Sequence, residues 1–179
     1  LCWVEYLNTL PLDAYLMVVP IYAKPGMNGQ YEWFKALLDK ATRPCMLYNV
    51  PGRTAKPMDV EATRRLADHP RFWALKEASG NTKNFSEVVA AAPAVQMMSG
   101  DDGMLPDFTP LGCQGVVSVA GNVWPEATQE YARQCLSGEF KDVALWKEAT
   151  DALFTASNPI PAKGLLARKG VISSGVVRA

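Results

Sequence analysis

The stretch Phe72-Trp73-Ala74-Leu75-Lys76-Glu77-Ala78-Ser79-Gly80 places a primary amine at the end of a short apolar run. The run is typical of a buried β-strand, and the residues that follow it are typical of a loop. Burial disfavours the charged form of an amine and lowers its pKa, which leaves a neutral fraction able to attack a carbonyl and form a Schiff base. A lysine that extends from a strand end into solvent is the alternative, and its neighbourhood decides between the two.

Four other short apolar runs resemble this one along the chain. Their near-continuous apolar character predicts parallel strands covered by helices, because a half-solvated antiparallel strand would alternate between apolar and polar residues. The predicted strands lie at residues 14–19, 44–48, 72–76, 95–99 and 115–119.

Amphipathic stretches between these strands predict helices, and from Trp124 onward the pattern is helical throughout. The predicted helices lie at residues 29–41, 57–67, 84–92, 103–111, 125–136, 140–155 and 160–167. Pro57 and Asp59 fit a helix start, Asp101 is expected to cap the helix that follows it, and Gly112 fits a helix end.

Successive βα units predict either a (β/α)₈ barrel or a doubly wound sheet. The GxGxxG turn of a dinucleotide-binding fold is missing from the sequence, which favours the barrel. In a barrel the carboxyl ends of the strands carry the active residues. Here those ends bring Tyr22, Tyr48, Lys76, the segment 99–101 and Ser118 to one face, which is the arrangement expected of an active site.

Composition excludes several classes of protein. Among 179 residues, 49% are hydrophobic and 20% charged, which fits a globular protein with a substantial core. Eighteen basic and eighteen acidic residues cancel, so no charge excess predicts binding to nucleic acid or to an acidic membrane surface. Four widely spaced cysteines and one histidine do not form a zinc motif, and they predict reduced thiols in a cytoplasmic protein. No apolar run is long enough to predict a transmembrane helix.

Two motifs carry a resemblance to a known family. They are Leu47-Tyr48-Asn49-Val50-Pro51-Gly52-Arg53-Thr54 and Lys76-Glu77-Ala78-Ser79-Gly80, and they are supported by Ser99-Gly100-Asp101-Asp102, Gly115-Val116-Val117-Ser118-Val119 and Asn158-Pro159-Ile160-Pro161. In this order the motifs resemble those of the dihydrodipicolinate synthases, pyruvate-dependent aldolases of the N-acetylneuraminate lyase superfamily. The arginine of Pro51-Gly52-Arg53-Thr54 favours the synthases over the sialic acid lyases, which lack it.

The resemblance implies three catalytic residues. Lys76 matches the lysine that condenses with the ketone of pyruvate, and Tyr48 matches a tyrosine that relays protons during imine formation and condensation. Tyr22 matches a tyrosine that reaches across a dimer interface into the neighbouring subunit's site. Without the motif, Tyr48 is equally well explained as an aromatic residue packed at a strand end.

The resemblance also implies three substrate-binding residues. Arg53 matches the residue that grips the carboxylate of aspartate semialdehyde, for which a guanidinium fork is suited. Outside the motif, a solvated loop charge is the default explanation of Arg53. Gly100 and Val117 match positions that line the pyruvate pocket.

For the whole molecule, the resemblance implies a cytoplasmic homo-oligomer, a dimer of dimers, that condenses pyruvate with aspartate semialdehyde and needs no metal or other cofactor. It implies that residues 1–123 form strands four to eight of the barrel, and that residues 124–179 form a carboxyl-terminal helical segment. The adjacent threonines that bind the pyruvate carboxylate in the family have no counterpart before the first strand of this sequence, and the match implies that three amino-terminal strands are missing from it. An inactive remnant or interaction protein of the same fold, and another aldolase such as N-acetylneuraminate lyase, remain as alternatives.

Overall fold

The computed structural model describes residues 1–178, which contain one five-stranded parallel sheet. Its strands are β1 (Tyr15–Val18), β2 (Cys45–Asn49), β3 (Phe72–Glu77), β4 (Gln96–Ser99) and β5 (Cys113–Val116). They pair in the order β1-β2-β3-β4-β5, so each strand lies beside its neighbour in sequence. A doubly wound sheet would reverse this order at one point, whereas a barrel keeps it. The five strands are therefore consecutive βα units of a (β/α)₈ barrel, as predicted.

Helices connect the strands and follow the last of them. They are α1 (Cys2–Leu7), α2 (Met27–Lys40), α3 (Pro51–Thr54), α4 (Val60–Leu66), α5 (Thr82–Ala91), α6 (Leu105–Phe108), α7 (Pro125–Ser137), α8 (Val143–Asp151) and α9 (Ile160–Arg168). Three 3₁₀ turns lie at Thr109–Leu111, Ala120–Asn122 and Ala152–Phe154. No helix among residues 1–178 has both the length and the apolar character that crossing a membrane requires.

The main core lies between the sheet and the helices. Leu47 of β2 and Leu75 of β3 are fully buried, as are Phe34 of α2 and the stacked pair Phe85 and Phe108, whose ring centroids are 4.4 Å apart. Alternate residues of a strand point to opposite faces of the sheet, so these leucines fix which residues face the barrel interior. Tyr48 and Lys76, each one residue beyond a core leucine, therefore lie on the interior face.

Several local predictions are confirmed. Asp59 caps α4, because its carboxylate accepts hydrogen bonds from the Glu61 and Ala62 amides at 2.9 and 3.1 Å. Gly112 ends the turn before β5 with a left-handed φ of 101°. Three of the four cysteines are buried free thiols, while Cys2 is an exposed one. The division of the chain after residue 123 stays a prediction.

Two predictions in the second half of the sheet are wrong. Asp101 does not cap a helix, because α6 begins only at Leu105 and its N-cap residue is Met104, without a side-chain cap. The last strand ends at Val116 instead of Val119. The Val117 amide still donates to the Ser99 carbonyl at 2.8 Å, and beyond it the carboxylate of Asp102, instead of a strand, accepts the hydrogen bonds of the Val119 and Ala120 amides, both at 3.0 Å.

Both outer strands of the sheet have an unpaired edge within residues 1–178, since β1 pairs only with β2 and β5 only with β4. An apolar groove of about 250 Å³, here called the β1 groove, runs along the first edge. Its wall includes Trp3, Leu16 and Trp33, of which Trp3 is 67% exposed and Leu16 53% exposed.

Candidate active site

Lys76 is held half-buried near the carboxyl end of β3. Burial lowers the pKa of its amine, and the nearby carboxylates of Asp102 and Asp101 oppose that shift. The predicted desolvation is therefore present, and it increases the fraction of neutral amine at a given pH. This is the electronic requirement for a lysine that attacks a carbonyl.

Tyr48 lies directly opposite Lys76 in the register of β2 and β3. The Lys76 Nζ atom is 4.4 Å from the centroid of the Tyr48 ring, which is within the range of a cation–π contact. Burial raises the pKa of the Tyr48 phenol, the Asp101 carboxylate raises it further, and the Arg53 guanidinium opposes them. The phenol therefore stays protonated at neutral pH and is a proton donor in this state.

A cavity of about 260 Å³ opens beside these two residues. Its wall is formed by residues from the carboxyl ends of the strands and from the loop before α9: Tyr48, Val50, Gly52, Arg53, Lys76, Ala78, Gly100, Asp101, Val119, Phe154 and Asn158. Four of the six predicted site residues thus share one cavity. Its size suits a small metabolite better than a polymer.

Arg53 belongs to the short helix α3 and is exposed, yet its guanidinium is held in place. Nη1 donates a hydrogen bond to Ser157 Oγ at 2.8 Å, and Nη2 donates a longer one to the Asn158 carbonyl at 3.4 Å. These contacts connect the loop after β2 with the segment before α9. They orient a positive fork at the rim of the cavity, where it can meet a carboxylate.

Gly100 follows β4 and allows the Lys76 side chain to pass close to the backbone. A Cβ atom at this position would lie 2.8 Å from Lys76 Cε and 2.7 Å from Ala78 Cβ, both closer than real side chains permit. The Gly100 amide also donates a hydrogen bond to the Glu77 carbonyl at 2.7 Å, which fixes the loop against β3. A side chain is therefore excluded at this position, because the lysine itself occupies the space. The predicted place of Gly100 in a pyruvate pocket stays a prediction.

Tyr22 and Val117 lie elsewhere. The lining of the cavity within residues 1–178 includes neither of them, and Val119 forms the wall on the β5 side. Tyr22 is 93% exposed in the loop after β1 and has a left-handed φ of 70°, which is uncommon for a tyrosine. Their predicted roles, in a neighbouring subunit's site and in the pyruvate pocket, stay predictions.

Asp101 belongs to the segment 99–101 expected at the active-site face, although its own predicted role is that of a helix cap. It is half-buried in the cavity wall, where the charge of its carboxylate raises the pKa of both Tyr48 and Lys76. Burial raises the pKa of its carboxyl, and the carboxylates of Glu77 and Asp102 raise it further, while Lys76 lowers it. An aspartate directly after a strand is compatible with a helix cap and with a cavity wall. The local sequence therefore does not distinguish the two roles.

Known proteins resemble this chain over nearly its whole length. A model of the Dihydrodipicolinate synthetase family matches residues 1–179. The 4-hydroxy-tetrahydrodipicolinate synthase of Wolbachia pipientis subsp. Culex pipiens is 46% identical over 176 residues, which are 98% of this chain and 60% of that protein.

Solved structures agree. The dihydrodipicolinate synthase of Aquifex aeolicus superposes with a TM-score of 0.91 at 31% identity, covering 98% of this chain and 61% of that one. The chloride-inhibited dihydrodipicolinate synthase of Acinetobacter baumannii, complexed with pyruvate, gives a TM-score of 0.86 at 32% identity and covers 97% and 62%.

The chain spans about 60% of the length of the curated relatives that it matches. The match extends through both motifs at the cavity, the one that carries Tyr48 and Arg53 and the one that carries Lys76. The sequence pattern, the strand order and the family match agree, and the chain belongs to the dihydrodipicolinate synthetase family.

Proposed function

We propose that this protein condenses pyruvate with L-aspartate 4-semialdehyde through a Schiff base on Lys76, yielding 4-hydroxy-tetrahydrodipicolinate for lysine and diaminopimelate biosynthesis. The observation that carries the proposal is the half-buried Lys76 amine, 4.4 Å from the Tyr48 ring and beside a cavity that Arg53 borders. The activity for which the relatives are named supports the reaction, and the pyruvate complex of the Acinetobacter baumannii protein supports the first substrate.

Imine formation is the first step. The neutral Lys76 amine attacks the ketone carbon of pyruvate, and the oxygen of that ketone leaves as water after it has gained protons. The protonated imine then withdraws electrons, so the pyruvate methyl group loses a proton and becomes an enamine carbon. That carbon forms the new bond to the aldehyde carbon, whose oxygen takes up a proton. The amino group of the semialdehyde then attacks the imine carbon and displaces the Lys76 amine, which closes the ring, releases the product and restores the free lysine.

Tyr48 is proposed to supply the proton that the departing oxygen needs. Its raised pKa keeps the hydroxyl protonated before the reaction, and its ring lies next to the amine that attacks. The same hydroxyl, once deprotonated, can accept a proton in a later step. Tyr22 is proposed to extend this relay from a neighbouring subunit of a homo-oligomer, which agrees with its exposure in this chain.

Arg53 is proposed to bind the carboxylate of the semialdehyde. Its guanidinium is at the cavity rim and oriented by Ser157 and Asn158, so the cost of ordering this side chain is already met before the substrate arrives. Gly100 and Val117 are proposed to leave room for pyruvate beside Lys76. All of these groups belong to the polypeptide, and the proposed chemistry needs no cofactor.

Borohydride trapping tests the proposal directly. Borohydride added together with pyruvate is expected to leave a reduced three-carbon adduct on Lys76, located by mass spectrometry of peptides. Lys83, an exposed lysine on α5, provides the control, because Lys83→Ala is expected to trap normally and Lys76→Ala not at all. An adduct on Lys83, or no adduct on any lysine, would remove Schiff-base chemistry from this protein and favour an inactive remnant. Trapping without turnover of the semialdehyde would favour another pyruvate-dependent aldolase.

A further inference from the structure

A buried polar pair lies one residue beyond Tyr48 and Lys76, on the opposite face of the sheet. Asn49 and Glu77 are paired in the register of β2 and β3, and both are 0% exposed. Asn49 Nδ2 donates a hydrogen bond to Glu77 Oε2 at 2.8 Å. Because successive side chains alternate between faces, the interior pair and this helix-facing pair are formed by adjacent residues of the same two strands.

The Glu77 carboxylate is hydrogen-bonded on both oxygens. Oε2 also accepts a hydrogen bond from Asn84 Nδ2 of α5 at 3.0 Å, and Oε1 accepts one from the Ser79 amide at 2.7 Å. The Asn49 amide oxygen in turn accepts a hydrogen bond from the Met58 amide at 2.8 Å. The pair thereby connects the backbone that follows β2 with the backbone that follows β3.

A buried carboxylate is an expensive way to fill this space. Apolar residues of similar volume would pack there without a desolvation cost, and buried polar groups are best attested where they select one register. The pairing of β2 with β3 shifts register between Cys45 and Met46, at the start of β2. The ends of the two strands therefore need a contact that favours one register over its neighbours. A slip by one residue would move every side chain of a strand to the other face.

We propose that Asn49 and Glu77 act as a register clamp, a pair of positioning residues that holds Lys76 opposite Tyr48. The inference rests on the proposed function and deepens it. Residues on the helix-facing side of the sheet would align the reacting groups of Lys76 and Tyr48 on the interior side. The cavity wall within residues 1–178 includes neither residue of the clamp. The clamp acts through the backbone of the two strands.

Glu77→Gln tests the clamp. The substituted amide has one acceptor oxygen where three donors converge, and it carries no charge. At least one of the three hydrogen bonds is therefore lost and the others, including that from Asn49, are weakened, while the side-chain volume is kept. Pyruvate trapping at Lys76 is expected to slow on the order of 10²-fold, the loss typical of a misplacement of about 1 Å. Glu87→Gln makes the same chemical change at an exposed glutamate of α5 and is expected to trap normally. Normal trapping by Glu77→Gln, with near-UV circular dichroism unchanged, would overturn the proposal.

A second pair of variants separates register from general stability. Asn49→Ala and Asn84→Ala each remove one amide donor from the same Glu77 oxygen, but only Asn49 lies on β2. The clamp predicts that Asn49→Ala slows trapping at least tenfold more than Asn84→Ala. Equal slowing in the two variants, or slowing that follows the melting temperature alone, would show a merely structural role. This comparison decides the question even if Glu77→Gln fails to fold.

A pyruvate-independent measurement distinguishes failure of the clamp from failure of the proposed function. The rate at which acetic anhydride acetylates Lys76, followed by mass spectrometry against pH, reports the neutral fraction of the amine. If Asn49→Ala lets the end of β3 separate, hydration of Lys76 increases and the midpoint of this profile moves to higher pH than in the parent protein. An unmoved midpoint would count against the clamp, and absence of pyruvate trapping in the parent would count against the Schiff base alone.

Discussion

Lys76 and Tyr48 are directly opposite each other on neighbouring parallel strands, and the amine of the first lies 4.4 Å from the ring centroid of the second. Burial lowers the pKa of the Lys76 amine and raises the pKa of the Tyr48 phenol beside it. One desolvated environment thus favours a neutral amine and a protonated hydroxyl together. These are the two states that the start of imine formation requires.

Removal of the Tyr48 hydroxyl should separate binding from proton transfer. Tyr48→Phe keeps the ring beside Lys76 and removes little volume, so the protein should fold while turnover falls by roughly 10²–10⁴, as is typical when general acid–base help is lost. Steady-state kinetics and near-UV circular dichroism measure the two effects. Tyr6→Phe, at a tyrosine that is 52% exposed on α1, is the control and should leave both unchanged. Full turnover in Tyr48→Phe would exclude the proposed proton donor.

Loss of the Arg53 guanidinium should weaken binding of aspartate semialdehyde and leave the reaction with pyruvate largely unchanged. Arg53→Ala is expected to raise the KM for aspartate semialdehyde while borohydride trapping of pyruvate stays largely intact. Arg53→Lys keeps the charge but loses the fork, so it should recover only part of the affinity.

The Ser157→Ala variant separates binding by Arg53 from its structural contact. This variant removes the hydroxyl that the guanidinium contacts and leaves the guanidinium in place. It should therefore change the KM far less than Arg53→Ala does. Loss of pyruvate trapping with unchanged semialdehyde affinity in Arg53→Ala would show that Arg53 serves the first substrate instead.

Gly100 should not tolerate even one methyl group. In Gly100→Ala the new Cβ atom would meet Lys76 Cε at 2.8 Å and Ala78 Cβ at 2.7 Å, so the lysine must move. Trapping at Lys76 should slow by at least about tenfold, since small misplacements of reacting groups are costly. Gly164→Ala in α9, where a Cβ atom meets nothing within 4 Å, is the control and should stabilise by roughly 0.5–1 kcal/mol. Equal trapping in both variants would disprove the steric argument.

The pH dependence of trapping should reveal the buried amine. Imine formation needs neutral Lys76, so its rate should rise with pH through a midpoint below the ordinary lysine value of about 10.4. The Asp101 carboxylate opposes this shift, and Asp101→Asn should therefore move the midpoint to still lower pH. Asp68→Asn, at an exposed residue before β3, should leave it unmoved. A midpoint at or above the ordinary lysine value would mean that Lys76 is solvated.

The β1 groove should make residues 1–179 associate when they are produced alone. An unpaired strand edge beside exposed Trp3 and Leu16 is a template for pairing with another chain, so sedimentation should show oligomers, aggregates or a molten state. Leu16→Lys places a charge on this edge and should reduce association. A monomer that unfolds cooperatively and has synthase activity would contradict both the edge argument and the proposed sharing of Tyr22.

The strands and the lysine could be read from the sequence because each depends on local pattern. The apolar run 72–75 predicts a strand that is buried at most of its positions, and the amine that follows it is partly desolvated as a result. The caps at Asp59 and Gly112 are equally local, since they involve only residues two or three positions away. These features therefore correspond closely to the observed structure.

The rest depends on contacts between distant residues. Asp102 accepts hydrogen bonds from amides 17 and 18 positions away, in the segment that follows β5, and Glu77 meets Asn49 only because of the strand register. Asp101 has the local sequence of a helix cap, yet the sheet places it in the cavity wall. No periodicity in the sequence reports such pairings, so the polar network around the cavity emerged only from the structure.

The in-order arrangement of the five strands has a consequence for how the chain reaches this structure. Every strand pair joins consecutive βα units, with partner residues 16 to 30 positions apart, so folding closes shorter loops than pairing between distant units would require. Contacts of this kind form earlier than long-range pairings do. The sheet can therefore grow from any unit outward, one neighbour at a time. Tyr48 and Lys76 belong to adjacent units and can meet before either outer strand has joined.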